Sequence, residues 1–167
     1  MPELVTRLPP RASVRLQVAS RLVQDTARHA IGGVSLPQHP NRWNGQDPLI
    51  WRVAPDAWLI QSAQAGHDVA SMARAACRDL DCAVTDLSDA LETIALDGPA
   101  ASAVLARGCG LDLREKSFEA QACARTRLAQ LPVLMRKAAS ARFELVVDRA
   151  AAQYLEDWLR DAAIGVG

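Results

Sequence analysis

Val14, Leu16 and Val18 alternate with Arg15 and Gln17. This two-residue period predicts a half-buried strand. Next, Leu22, Val23, Thr26, Ala27, Ala30 and Ile31 share one helical face. They predict a helix over 21–31, capped by Ser20 and ended by Gly32-Gly33. Residues 34–48, rich in proline and asparagine, predict a long loop. Strands are predicted at 49–54 and 57–62, joined by a Pro55-Asp56 turn. A helix over 66–78 is predicted to bury Val69, Met72, Ala73 and Ala76.

The second part of the chain follows a similar course. Ala83-Val84 begins an extended piece, and 91–97 (LETIALD) is a further strand. Gly98-Pro99 opens a helix over 99–107, because proline suits a first helical position. Segment 114–124 carries no clear period. Strands are predicted at 125–130, 131–137 and 142–147, with Pro132 marking a boundary or an edge. Asp148 is expected to cap a last helix over 149–163, with Tyr154, Leu155, Trp158, Leu159 and Ala162 on one face.

The two courses are alike. WLIQSAQAGHDVASMARAA (58–76) lies over FELVVDRAAAQYLEDWLRDA (143–162) as a repeat of pattern, with few identities. The expected fold class is α+β: two ferredoxin-like β-α-β-β-α units, helices on one side of antiparallel sheet. The expected organisation is a flexible tail over 1–12 and a single domain over 13–167. That domain comprises pseudo-repeated halves at about 13–80 and 81–165.

Composition narrows the function classes. The chain of 167 residues has 19 Lys+Arg and 19 Asp+Glu, so no basic excess points to nucleic acid. The N-terminal stretch lacks the apolar run of a secretory signal, and no window suits a membrane span. A cytoplasmic location with reduced cysteines is expected.

Candidate chemistry is sparse. Cys77, Cys82, Cys109 and Cys123 form no C-x-x-C, and His29, His39 and His67 form no zinc-ligand pair. Cys109, in ARGCGLDL (106–113), invites a reading as a reactive thiol. It follows a helix C-terminus, however, where the dipole is negative and does not favour a thiolate. Gly108 is expected to be the left-handed residue that stops the helix, and Gly110 to permit the next turn. The glycine pair fits no dinucleotide fingerprint, because Leu113 stands at its sixth position. Asp79, Asp81, Asp86, Asp89 and Glu92 are expected to serve turns rather than acid/base chemistry. Trp58 is expected in the core, whereas Trp43, in the long loop, is a candidate partner anchor. No residue is assigned as catalytic, cofactor-binding or metal-binding.

An ordered set of segments carries a resemblance: VAPDAWLIQS (53–62), VTDLSDALETIALDGPAASAVLARGCGLDL (84–113), FEAQACARTRLAQLPVLMRK (118–137) and FELVVDRAAAQYLEDWLRDA (143–162). Together they resemble the gamma subunits of heterotetrameric sarcosine oxidases. TDLSDALETIALDGPAASAVL also resembles, more distantly, the folate-binding aminomethyltransferase (T-protein) superfamily, which implies that superfamily's domain fold. The first resemblance implies a structural subunit without its own cofactor. FAD, FMN, NAD and tetrahydrofolate are then expected on partner subunits, and the partners are alpha, beta and a zinc-binding delta subunit. The implied chemistry, carried by those subunits, is oxidative demethylation of sarcosine to glycine. Its methyl carbon passes to tetrahydrofolate and hydrogen peroxide is formed. A stand-alone folate-binding protein is the alternative, and a thiol enzyme built on Cys109 is a third.

Overall fold

A computed structural model describes residues 4–64 and 66–166. In chain order its elements are β1 (Val5–Arg7), β2 (Ala12–Val18), a 3-10 segment (Ser20–Arg28), β3 (Ala30–Ile31), β4 (Val34–Ser35), β5 (Trp43–Asn44), β6 (Leu49–Ala54), β7 (Ala57–Ser62), α1 (Val69–Ala76), β8 (Cys82–Asp86), β9 (Leu91–Asp97), α2 (Ala101–Ala106), β10 (Cys123–Leu128), β11 (Leu131–Ala139), β12 (Arg142–Asp148) and α3 (Arg149–Ala163). They divide into two compact units. One is Pro10–Asp89, and the other joins Met1–Pro9 to Ala90–Gly167.

The Pro10–Asp89 unit is built on an antiparallel sheet in the order β5-β6-β7-β2-β8. Alternate residues of its strands, among them Val14, Leu16, Ile50, Trp58 and Ile60, form one core with Val69, Ala73 and Cys77 from α1 and its end. Helix α1 starts where Asp68 accepts the Ser71 N–H at 2.9 Å, an N-cap that satisfies an otherwise orphaned donor. The segment expected as an α-helix over 21–31 is 3-10 over Ser20–Arg28, preceded by Ala19 without a side-chain cap. Only Thr26 is buried along it, so too little apolar area holds it to the sheet to enforce α geometry. Ser20 Oγ instead donates to Asp56 at 3.4 Å. Gly32-Gly33, expected as a helix stop, turns the β3–β4 hairpin with φ of 57° and 78°. Two positive φ values in succession match a type I′ turn.

The other unit has its sheet in the order β1-β9-β12-β11-β10, again antiparallel. Helices α2 and α3 supply Ala101, Val104, Leu105, Ala152, Leu155, Leu159 and Ala162 to a core shared with Ile94, Leu96, Met135, Phe143 and Leu145. Each fully buried leucine here contributes about 2 kcal/mol. Phe118, from the segment without a predicted period, packs parallel to Phe143 with ring centroids 6.3 Å apart. Asp148 precedes α3 but makes no side-chain cap; Arg149 N–H donates to the Ala90 carbonyl at 2.8 Å instead. Pro132 sits next to the start of β11, which is an interior strand.

Two expectations about organisation change. Residues 5–7, expected in a tail, form β1, with Val5 opposite Leu96 and only 2% exposed. A three-residue strand carries no readable period; its partner β9, far along the chain, defines it. The contiguous halves are likewise not the compact units, because the N-terminal strand belongs with the later residues. The same succession nevertheless recurs. β2, the 3-10 segment, β6, β7 and α1 match β9, α2, β11, β12 and α3 in sheet position. The edge strand beside β2 is β8, which follows α1. The equivalent place in the second unit is taken by β1.

Candidate functional site

The cysteines fall into two settings. Cys77 is buried at the end of α1, and burial pushes its thiol up to about 11. Cys82 is half-buried, its thiol also raised, first by burial and then by Asp81. A group that stays a thiol well above neutrality is a poor nucleophile. Cys109 lies in the core of its unit, 8% exposed, with Sγ 3.8 Å from Thr126 Oγ1. Its flanking glycine has another reason than the one expected. Gly108 is not in the left-handed region; a Cβ there would lie 2.5 Å from Trp158 Cη2. Among the described residues no cluster of three or more His, Cys, Asp or Glu suits a metal ion.

The acidic residues are held by side-chain and backbone partners. Asp79 Oδ1 is 2.8 Å from His29 Nε2, and its carboxyl is held below the usual range, chiefly by that bond. Asp81 pairs with Arg21 at 2.9 Å. Asp86 accepts the Ser88 hydroxyl at 2.7 Å and its N–H at 2.9 Å, which also lower its pKa. Glu92 pairs with Arg149 at 3.2 Å. Asp86 thus takes the expected turn-forming role, whereas Asp79, Asp81 and Glu92 pair with residues far along the chain.

The tryptophans concentrate in one sheet. Trp58 is fully buried, as expected, and donates its indole N–H to the Pro37 carbonyl at 3.0 Å. Trp43 is not a loop anchor: it lies in β5 opposite Trp51 and is 7% exposed. The long loop therefore folds back as a sheet edge and buries its aromatic side chain.

Two polar clusters escaped the sequence. Arg52 lies over the Trp58 ring, 5.1 Å from its centroid, and donates to the carbonyls of Pro37, Gln38 and Pro55. Burial pulls the guanidinium below its ordinary value, and Asp56 works in the opposite direction. The result is a brace across loop 36–43. In the second cluster, Ser62 Oγ stands between Asp47 and His67. It donates to Asp47 Oδ1, lies 3.1 Å from His67 Nδ1 and accepts the Gln64 N–H at 3.2 Å. A nucleophilic relay requires histidine between serine and carboxylate. Here the serine is the middle member and 2% exposed, so the cluster fastens the end of β7. Neither cluster has a pairwise sequence spacing that would reveal it.

A cleft of about 300 Å³ lies at the start of β8, lined by Gln17, Ser20, Asp56, Asp81 and Cys82 among others. Asp56 Oδ2 accepts long bonds there, from Gln17 at 3.3 Å and Ser20 at 3.4 Å. No helix among the described residues is long and apolar enough to cross a membrane.

Comparison with known proteins places this architecture. The family model for the GCVT N-terminal domain matches residues 20–166. Sarcosine oxidase subunit gamma of Corynebacterium sp. strain P-1 is 30% identical over 133 residues, covering 78% of this chain and 64% of the relative. The Arthrobacter sp. subunit gamma is 30% identical over 153 residues, 87% of this chain and 74% of that protein. The chain thus spans less than two thirds of the first relative's length. Among solved structures, heterotetrameric sarcosine oxidase from Corynebacterium sp. U-96 superimposes with a TM-score of 0.81 at 21% identity, over 95% of this chain and 82% of that one. Aminomethyltransferase T from Bartonella henselae gives 0.67 at 15% identity, over 93% of this chain and 44% of that one. The chain belongs to the GCVT N-terminal domain family, in its sarcosine oxidase gamma-subunit group.

Proposed function

We propose that this protein is the gamma-type assembly subunit of a heterotetrameric sarcosine oxidase-like complex. The observation that carries the proposal is the match in fold along nearly the whole chain, 95% of it, to a chain of that complex. The chemistry is assigned to the partner subunits: oxidative demethylation of sarcosine, with FAD, FMN, NAD and tetrahydrofolate held there and hydrogen peroxide formed. The structural employment of the thiols and carboxylates supports a role in assembly. Co-expression with the large flavoprotein subunits is the test. The subunits should co-elute and keep a fixed stoichiometry through ion exchange. Separate elution in every buffer tried would end the proposal.

The family match to the GCVT N-terminal domain favours a second reading, a stand-alone folate-binding protein. Titration calorimetry of the isolated chain with tetrahydrofolate separates the two. Saturable heat supports folate binding by this chain, and a flat isotherm removes it.

A further inference from the structure

Edge strands expose rows of unpaired backbone groups, and proteins shield them with short length, lysine, proline or bulges. Three of the four outer edges of the two large sheets are shielded in this way. β1 has three residues and β5 has two. β10 carries exposed Arg125 and Arg127, and Cys109 and Gly108 close its end through a bridge to Leu128 and a 3.2 Å bond from Ala129 N–H. β8, Cys-Ala-Val-Thr-Asp, has five residues and no proline, lysine or bulge.

The ladder to β2 shows which of its groups are open. Leu87 N–H donates to Ser13 O at 2.8 Å, and Ala19 N–H to Asp81 O at 2.9 Å. Hydrogen-bonded positions alternate in an antiparallel pair. Ala83 and Thr85 therefore direct their backbone toward Gln17 and Arg15, their partners in the register. Cys82, Val84 and Asp86 direct theirs outward, and no neighbouring strand lies on that side among the described residues.

We propose that this edge binds an extended segment of another chain, antiparallel to β8, whose basic side chain enters the acidic cleft at Cys82. Three outward residues supply three N–H donors and three carbonyl acceptors, the form of recognition called β-augmentation. At the Cys82 end the strand meets the cleft with Asp56 and Asp81. The Asp81–Arg21 pair is exposed on both sides, 68% and 71%, so water screens it and it is readily exchanged. A second copy of this chain fits poorly. Antiparallel pairing centred on Val84 would bring its Asp86 to Cys82, beside Asp81 and Asp56, setting like charges together.

The inference deepens the assembly reading and rests on it for the existence of a partner chain. Hydrogen exchange of the free chain and of the co-expressed complex tests it. Assembly is expected to slow exchange of the Cys82, Val84 and Asp86 amides at least about tenfold. Val84→Pro removes one outward donor without touching the β2 ladder, and Asp81→Lys reverses the cleft charge. Each is expected to weaken capture by the large subunits about tenfold or more. Unchanged exchange at 82–86 in an intact complex overturns the edge proposal while leaving the assembly reading standing. Wild-type capture by a correctly folded Asp81→Lys chain removes the basic side chain. Capture of nothing by the wild type removes the assembly reading, and the edge proposal with it. Dimerisation of the free chain through β8 would make the occupant a second copy and overturn the hetero-partner.

Discussion

Trp158 lies against Gly108 so closely that a methyl group at 108 would stand 2.5 Å from its ring. The contact joins α3 to the turn after α2. The Ala129 backbone nitrogen, 3.2 Å from the same point, closes the other side. Neither neighbour is the free end of a flexible chain. Gly108→Ala is therefore expected to cost about 1–3 kcal/mol, through overpacking rather than backbone strain. Urea denaturation measures it. Trp158→Leu in the Gly108→Ala background should recover part of the loss. A single variant as stable as wild type would mean that the ring moves aside freely.

Ala129 and Gln130 turn β10 into β11 with φ of 51° and 69°. Residues with a side chain adopt this region at a cost of about 1–2 kcal/mol. Gln130 is exposed and its side chain is not needed for the bond from Arg127 to its carbonyl. Gln130→Gly should raise stability by about 0.5–1 kcal/mol, after the greater freedom of glycine in the unfolded chain is deducted. Gln130→Val should lower it. Thermal melts of the two variants should fall on opposite sides of wild type; the reverse order would contradict the turn geometry.

Arg52 donates to the carbonyls of Gln38 and Pro55 and shares that of Pro37 with the Trp58 indole. Arg52→Met keeps the bulk and removes every donor. The expected loss is about 2–4 kcal/mol, with faster hydrogen exchange concentrated at residues 36–43. Lysine should restore little, because one ammonium cannot reproduce a planar fork. Full rescue by lysine would show that charge alone matters.

Asp68 caps α1. The Ser71 hydroxyl at 2.6 Å, and then its N–H at 2.9 Å, hold the carboxyl below the usual carboxylate range. A carboxyl with a depressed folded pKa binds fewer protons folded than unfolded. Its stabilisation is complete above the unfolded value of about 4 and is lost as pH falls through the folded one. Asp68→Asn keeps an acceptor but removes the titration. Urea midpoints of wild type and variant should draw together as pH falls below about 4. A constant gap across that range would deny the linkage.

The sequence was most informative where contacts are local or the period is long. The strand at 91–97 and the helix at 149–163 have the predicted limits, because the strand ends at the Gly98-Pro99 break and an apolar helical face spans several turns. Trp43 and Gly108 depart from the expectation for one shared reason. The residue that explains each lies far away in sequence: Trp51 across a sheet for one and Trp158 on a helix for the other. The Arg52 brace and the Asp47–Ser62–His67 cluster were invisible for the same cause. The open edge of β8 was hidden too, since a strand's sequence does not tell which of its sides is occupied.

The pairing of Val5 with Leu96 also sets an order of events during synthesis. Pro10–Asp89 is continuous in sequence and has every strand of its sheet once Asp86 has emerged. Val5 is made earlier than all of it, yet has nowhere to dock until Leu91–Asp97 follows. A strand made before that unit is thus the one that must wait for the later one, and deleting residues 4–9 should spare the early-folding unit while leaving β9 of the late one with a bare flank.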